Sequence, residues 1–129
     1  MRRRIIKANK GRSMINRKEV SLRINKSGLN ADGSQRWVVA VRFANESYKK
    51  ASNTNYVAIE IDDELQRMYF LSSNNEEGYK LTCNKPESNI RNLSFAIDDA
   101  EEWKMHEGTY DLLIDSLEHI YYIDFAKRQ

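Results

Sequence analysis

Short stretches of alternating apolar and polar residues dominate the chain from residue 19 onward. Over residues 19–25, three apolar residues occupy every second position: Val20, Leu22 and Ile24. Residues 36–43 repeat this alternation with Trp37, Val39, Val41 and Phe43. A period of two is typical of a strand that buries one face. We therefore predict strands over Glu19–Asn25 and Arg36–Phe43, paired as an antiparallel hairpin across a loop at Lys26–Gln35.

Six further segments suit strands, and stretches rich in Asn, Asp, Ser and Gly separate most of them. Such residues favour turns between strands. The predicted strands are Tyr56–Ile61, Arg67–Ser72, Tyr79–Thr82, Asn92–Ile97, Tyr110–Ile114 and Ile120–Phe125. Because only the loop Ser73–Gly78 separates two of them, the segment Arg67–Thr82 is predicted to form a second hairpin.

Residues 44–53 have an ambiguous pattern that suits a short helix. Its apolar residues Ala44, Tyr48 and Ala51 stand at positions i, i+4 and i+7, so they share one face of a helix. This spacing favours one or two turns of helix.

A second helix is predicted over Asp99–His106. Asp98 suits the N-cap position, and Glu101 follows it at the spacing of a capping box. Gly108 suits a residue just beyond the helix end. In this helix two residues would face the core: Ala100 and Trp103.

Seven or eight short strands with one or two short helices predict a mainly β fold, an antiparallel barrel or sandwich, with an α+β fold as the alternative. The chain has 129 residues, which suits a single domain. We expect one β-rich globular domain over residues 19–129.

Positive charge is concentrated at the N-terminus. Residues 1–19 hold eight Lys and Arg against one Glu, a net charge of +7. The other residues hold thirteen Lys and Arg against eighteen Asp and Glu, a net charge of −5. We name residues 1–18 the arm and expect it to be flexible, because it has too few apolar residues to form a core. Its cationic residues are Arg2, Arg3, Arg4, Lys7, Lys10, Arg12, Arg17 and Lys18.

No motif for catalysis or for metal or cofactor binding stands out in the sequence. The two histidines, His106 and His119, are far apart, and Cys83 has no base close by in sequence. Zinc sites and nucleophilic centres require such groups to gather. The acidic residues fall in predicted turns and at a helix start, where solvation and capping account for them. We therefore expect no enzymatic activity and no metal or cofactor.

The aromatic residues offer a second way to bind nucleic acid. Tyr69 and Tyr79 are predicted on neighbouring strands, with Arg67 and Lys80 close by. Exposed rings flanked by cations can stack on bases. The alternative is that these rings pack in the core or brace a sheet face.

A basic segment attached to an acidic domain favours a polyanionic partner. The first hypothesis is a non-enzymatic, nucleic-acid-associated protein whose arm contacts the phosphate backbone. Five further cations would assist the arm: Lys26, Arg36, Arg42, Lys49 and Lys50. No apolar run approaches the length of a membrane span, so we expect no membrane partner and a cytoplasmic location.

The second hypothesis belongs to a different class. Small proteins that combine few motifs with a basic arm can be assembly components or inhibitors encoded by a virus, a phage or a mobile element. In that case the arm would dock into a larger protein or nucleoprotein complex, and the location would be the virion or the host cytoplasm. Homo-oligomers remain possible in either case, because small β domains have sheet edges to cover.

Overall fold

Nine strands in two antiparallel sheets build residues 17–129, the part of the chain that the computed structural model describes. The strands are β1 (Glu19–Leu29), β2 (Gln35–Ala44), β3 (Tyr56–Asp62), β4 (Arg67–Ser73), β5 (Tyr79–Lys80), β6 (Arg91–Ile97), β7 (Gly108–Asp111), β8 (Leu113–Asp115) and β9 (Ile120–Asp124). The first sheet has the order β6-β2-β1-β7, and the second has the order β5-β3-β4-β9-β8. The predicted mainly β class is confirmed.

The two sheets are linked along both sides. On one side the chain passes from β7 to β8 through Leu112, whose backbone N–H donates to the carbonyl of Lys18 at 2.9 Å. On the other side Thr82, just beyond β5, forms an isolated bridge with Asn92 of β6. The described domain is therefore a sandwich whose two open sides are both bridged, an arrangement between the predicted barrel and the predicted sandwich.

The core lies between the inward faces of the two sheets. The first sheet buries Val20, Leu22, Val39, Val41 and Phe43, and the second buries Val57, Met68, Phe70 and Ile123. The rings of Phe43 and Phe70 meet edge to face across the sandwich, with centroids 5.2 Å apart. The predicted alternation of buried and exposed residues is confirmed for β1 and β2.

The loop predicted at Lys26–Gln35 was wrong in its extent. Strand pairing continues to Leu29 and Gln35, so only residues 30–34 connect the strands. The register shifts between Lys26 and Leu29, and Gly28 there has a φ of 66°, which glycine adopts without strain. This irregularity acts as a β-bulge, which absorbs an extra residue while pairing resumes beyond it.

The second hairpin predicted over Arg67–Thr82 was also wrong. β4 pairs with β3 on one side and with β9 on the other, so neither of its edges is free for β5. The two residues of β5 pair with β3 instead. The hairpin is therefore formed by β3 and β4, through the short turn at residues 63–66.

The single strand predicted over Tyr110–Ile114 is two strands in different sheets. β7 pairs with β1, and β8 pairs with β9. Tyr110 is buried in the core, whereas Ile114 lies exposed at a sheet edge. Because the chain changes sheet at Leu112, the alternate position that is buried at Tyr110 is exposed at Ile114.

The two short helices are α1 (Tyr48–Ala51) and α2 (Ala100–Lys104). The N-cap of α2 is Asp99 rather than the predicted Asp98, because the Asp99 carboxylate accepts hydrogen bonds from the backbone N–H groups of Glu101 and Glu102 at 3.0 and 3.2 Å. The helix ends before the predicted position, and Gly108 begins β7.

As predicted, Trp103 packs against the core, with its ring 5.5 Å from that of Phe95.

Replacement of Phe43 by alanine tests the contact between the sheets. We expect Phe43→Ala to lower the free energy of unfolding by about 3–5 kcal/mol, because it removes buried apolar surface and leaves a cavity. Urea denaturation measures the change. Leu117, which is 90% exposed, provides the control, and Leu117→Ala should change stability by no more than about 0.5 kcal/mol. A similar small loss for both variants would contradict the assignment of Phe43 to the core.

Replacement of each candidate cap distinguishes Asp99 from Asp98. We expect Asp99→Ala to cost about 1 kcal/mol of stability, because two backbone N–H groups lose their acceptor. Asp98→Ala should cost less than about 0.5 kcal/mol, since no cap bond is lost. Urea denaturation of both variants gives the comparison, and a larger loss for Asp98→Ala would reverse the assignment.

Candidate nucleic-acid interface

Three arginines lie on the outer face of the first sheet. Burial of Val39 and Val41 in β2 turns Arg36 and Arg42 outward, and the same alternation turns Arg23 of β1 outward. In the register of the hairpin, Arg42 lies opposite Ser21, two residues before Arg23. Such diagonal neighbours are about 7–8 Å apart.

Arg36 extends this group along β2. It stands six residues before Arg42 on the same strand face, a separation of about 20 Å at the usual rise per residue. We name Arg23, Arg36 and Arg42 the arginine face. It runs along most of the length of β2.

The surroundings of the arginine face leave its charges accessible. Small side chains occupy most of the neighbouring outward positions (Ser21, Ala40, Ser94 and Ala96), and Val38 and Asn92 occupy two others. All three arginines are exposed. Among residues 17–129, none of the three forms a side-chain hydrogen bond or an ion pair. Their guanidinium groups are therefore free to bind an external anion.

Two carboxylates near this face, those of Asp111 and Glu107, are already engaged. Asp111 binds Arg17 through two contacts of 2.5 and 2.7 Å, and it also accepts a hydrogen bond from the Gln129 amide at 2.9 Å. The contact with Asp111 raises the pKa of Arg17. Glu107 accepts a hydrogen bond from the backbone N–H of Ile24 at 2.9 Å, which covers part of the edge of β1 beyond β7.

The eight cationic residues predicted in the arm fall into two groups. Six lie outside the described residues: Arg2, Arg3, Arg4, Lys7, Lys10 and Arg12. The other two contact the domain, since Arg17 binds Asp111 and the ammonium group of Lys18 donates to the carbonyl of Asn45 at 2.7 Å. Arg17 and Lys18 therefore hold the start of β1 in place, beside the sheet that carries the arginine face.

The five assisting cations are divided between surfaces. Only Arg36 and Arg42 lie on the arginine face. Lys26 lies on the opposite side of the hairpin, 5.7 Å from the ring centre of Trp37. Lys49 pairs with Glu46 at 3.1 Å, and Lys50 lies exposed on α1.

Arg23 was missed as a member of this group by sequence reasoning. The information was present, because the alternation in residues 19–25 already placed Arg23 on the polar face of its strand.

The outer face of the second sheet has the opposite character. Its outward positions include Glu60, Asp62 and Asp124. The one arginine in these outward rows, Arg67, lies 4.3 Å from the ring centre of Tyr122 and donates to the Tyr69 hydroxyl at 3.2 Å, a bond that raises the pKa of Arg67. Internal contacts therefore occupy this arginine.

The predicted pairing of Tyr69 with Tyr79 as a stacking surface was wrong. β3 lies between the two strands that carry them. Tyr69 packs against Tyr122 at 5.4 Å between centroids, and Tyr79 packs against Phe95 at 5.5 Å. These rings therefore pack against neighbouring rings and brace the fold, which was the alternative interpretation.

A cleft lies between α2 and the turn from β3 to β4. It has a volume of about 60 Å³, and its lining includes Ile61, Trp103, His106 and Phe125. The His106 ring stacks on Phe125 at 3.9 Å and meets the edge of Trp103 at 5.9 Å between centroids. Burial lowers the pKa of His106, and the charge of Arg128 acts in the same direction against that of Glu102.

Among residues 17–129, no three Cys, His, Asp or Glu side chains gather as a metal site requires. No helix there is long and apolar enough to cross a membrane.

The lowered pKa of His106 predicts a loss of stability in weak acid. The unfolded chain binds a proton at this side chain near pH 6.5, before the folded chain does. The stabilising contribution is therefore complete above that pH and is lost as the pH falls through the folded-state pKa. Urea denaturation across this range measures it, and NMR titration follows the ring.

His106→Gln should remove this part of the pH dependence, whereas the matched variant His119→Asn should leave it in place. Equal pH dependence in the native chain and in His106→Gln would contradict the expectation.

No protein-family model matches this chain, and no curated protein or solved structure matches it either.

Proposed function

We propose that this chain is a non-enzymatic protein that binds the phosphate backbone of nucleic acid through its arm and its arginine face. The observation that carries the proposal is the group of three exposed arginines, Arg23, Arg36 and Arg42, which have no acidic partner within residues 17–129. The arm joins the domain at the same sheet, where Arg17 binds Asp111. Both cationic elements can therefore contact one extended polyanion.

The binding free energy would come from phosphate neutralisation. Each Lys or Arg that contacts a phosphate releases condensed counterions, so affinity falls steeply as salt rises. Arginine is well suited to this role because its planar guanidinium donates two parallel hydrogen bonds to a phosphate. The six cations of residues 1–16 and the arginine face together supply nine cationic side chains, seven of which are arginines.

The composition of the outer face favours contact with phosphates over recognition of bases. Apart from Val38, small or polar side chains surround the arginines, and the outward positions of β1, β2, β6 and β7 include no aromatic residue. Base stacking therefore has no platform there. Phosphate contacts fix position and supply affinity, but they carry little sequence information. The proposal accordingly implies weak dependence on sequence.

The charge of the second sheet sets the orientation of the complex. Its outer face presents Glu60, Asp62 and Asp124, which a polyanion would repel. Nucleic acid would therefore approach the first sheet, with the second sheet on the far side of the sandwich.

Fluorescence anisotropy with a labelled duplex oligonucleotide, measured over a series of salt concentrations, tests the proposal. We expect the triple variant Arg23→Gln, Arg36→Gln, Arg42→Gln to reduce the slope of log affinity against log salt by about 2 to 3, because each phosphate contact contributes about 0.9. The matched control removes three exposed cations elsewhere: Lys80→Gln, Lys85→Gln and Lys127→Gln. It changes the net charge equally and should alter the slope by less than about 1.

A second variant separates the arm from the arginine face. Arg2→Gln, Arg3→Gln and Arg4→Gln together should also lower the slope, since they remove three cations from residues 1–16. Binding that does not depend on salt, or an equal effect of the control triple, would overturn the proposal. Absence of binding by the native chain would favour the hypothesis of a protein that docks into a larger protein assembly.

A further inference from the structure

The cleft between α2 and the β3–β4 turn combines apolar walls with an acidic rim. Its walls include Trp103 and Phe125, and Ile61 is 40% exposed at its mouth. In the same turn Leu65 is 53% exposed. At about 60 Å³ the cleft is far smaller than the ~300 Å³ and more of a typical ligand pocket. Its size suits an inserted side chain rather than a small-molecule substrate.

Three carboxylates stand at or beside this cleft without a cationic partner. Asp63 and Glu102 line it, and Glu64 follows Asp63 in the same turn. Among residues 17–129, none of the three forms an ion pair, whereas the neighbouring Glu101 pairs with Lys104 at 2.8 Å. An occupant of the cleft should therefore be cationic and should carry aliphatic side chains.

Residues 1–16 of the same chain have this chemistry. They contain six Lys and Arg and no Asp or Glu. Their large apolar residues are aliphatic: Ile5, Ile6, Met14 and Ile15. Attraction between opposite charges and insertion of an aliphatic side chain would both stabilise the contact. Salt screens the electrostatic contribution to its free energy but not the contribution from apolar burial.

The start of the arm also lies within reach of the cleft. Arg17 binds Asp111, and the next residue towards the cleft, Tyr110, donates its hydroxyl proton to the carbonyl of His106 at 2.7 Å. The Tyr110 ring lies 5.9 Å from that of Phe125 in the cleft wall. An extended chain of sixteen residues spans up to about 50 Å. The tether is therefore long enough to bring residues 1–16 back onto their own domain.

We infer that residues 1–16 dock intramolecularly into the acidic cleft formed by Ile61, Trp103 and Phe125. The arm would then have two alternative partners, the acidic cleft of its own domain and an external polyanion. Occupation of the cleft would lower the affinity for nucleic acid by keeping part of the arm engaged. The inference goes beyond the proposed function and does not require it, because the contact forms without nucleic acid.

The two tryptophans allow a test on the full chain. Trp103 lines the cleft, whereas Trp37 lies on the hairpin between Lys26 and Lys104, each 5.7 Å from its ring centre. Both can be replaced by 5-fluorotryptophan and observed by fluorine NMR without nucleic acid. The variant Trp37→Phe identifies the signal of Trp103.

We expect the variant Arg2→Gln, Arg3→Gln, Arg4→Gln, Lys7→Gln to shift the Trp103 signal at low salt and to leave the Trp37 signal in place. The triple variant Asp63→Asn, Glu64→Gln, Glu102→Gln should produce a shift in the same direction. Its matched control changes three exposed acids elsewhere, Glu76→Gln, Glu77→Gln and Glu87→Gln, and should leave the Trp103 signal as in the native chain.

Salt and dilution complete the test. Raising salt from about 20 mM to about 500 mM shortens the screening length from roughly 20 Å to roughly 4 Å, so the native Trp103 signal should move towards that of the arm variant. The position should not depend on protein concentration. An identical Trp103 signal in the native chain and the arm variant would overturn the inference. A shift that disappears on dilution would also overturn it, because the occupant would then be the arm of a second copy.

Discussion

Burial of the apolar residues of β1 and β2 is the constraint on which the rest of the structure depends. Side chains alternate between the two faces of a strand. Burial of Val20 and Leu22 therefore places Arg23 on the outer face. The same applies to Arg36 and Arg42 on β2. A slip of one residue would exchange the two faces of a strand, so the core contacts also maintain the arginine face. Stability and the proposed binding surface therefore depend on one register.

The charges of the domain are separated by the thickness of the sandwich. Arginines without internal partners lie on the outer face of the first sheet, where Asp111 is bound by Arg17, whereas Glu60, Asp62 and Asp124 lie on the outer face of the second. Arg67, the exception on the second sheet, is held by Tyr69 and Tyr122. The net charge of +2 for the whole chain conceals this separation. It arises because side chains alternate between the faces of each strand, and it needs no long run of like charges in the sequence of the domain.

Local patterns predicted the elements of this fold but not the way in which distant elements meet. The period of two identified β1, β2 and the buried residues between the sheets, because that signal lies within each strand. The pairing of β5 with β3 depends on β9 already occupying the second edge of β4, which no local pattern contains. The same limit applies to the candidate site. Arg36 and Arg42 could be named from sequence, but the engagement of Arg17 by Asp111 joins residues 94 apart.

The carboxylate of Asp111 has a consequence for the topology of the whole domain. One of its oxygens contacts both Arg17 and Gln129, so a single side chain connects the first and last residues of the described region. The backbone N–H of Gln129 also donates to the carbonyl of Thr109 at 2.9 Å, in the same strand. Loss of the Asp111 carboxylate would therefore release Arg17 and the Gln129 side chain together, although they belong to opposite parts of the described sequence.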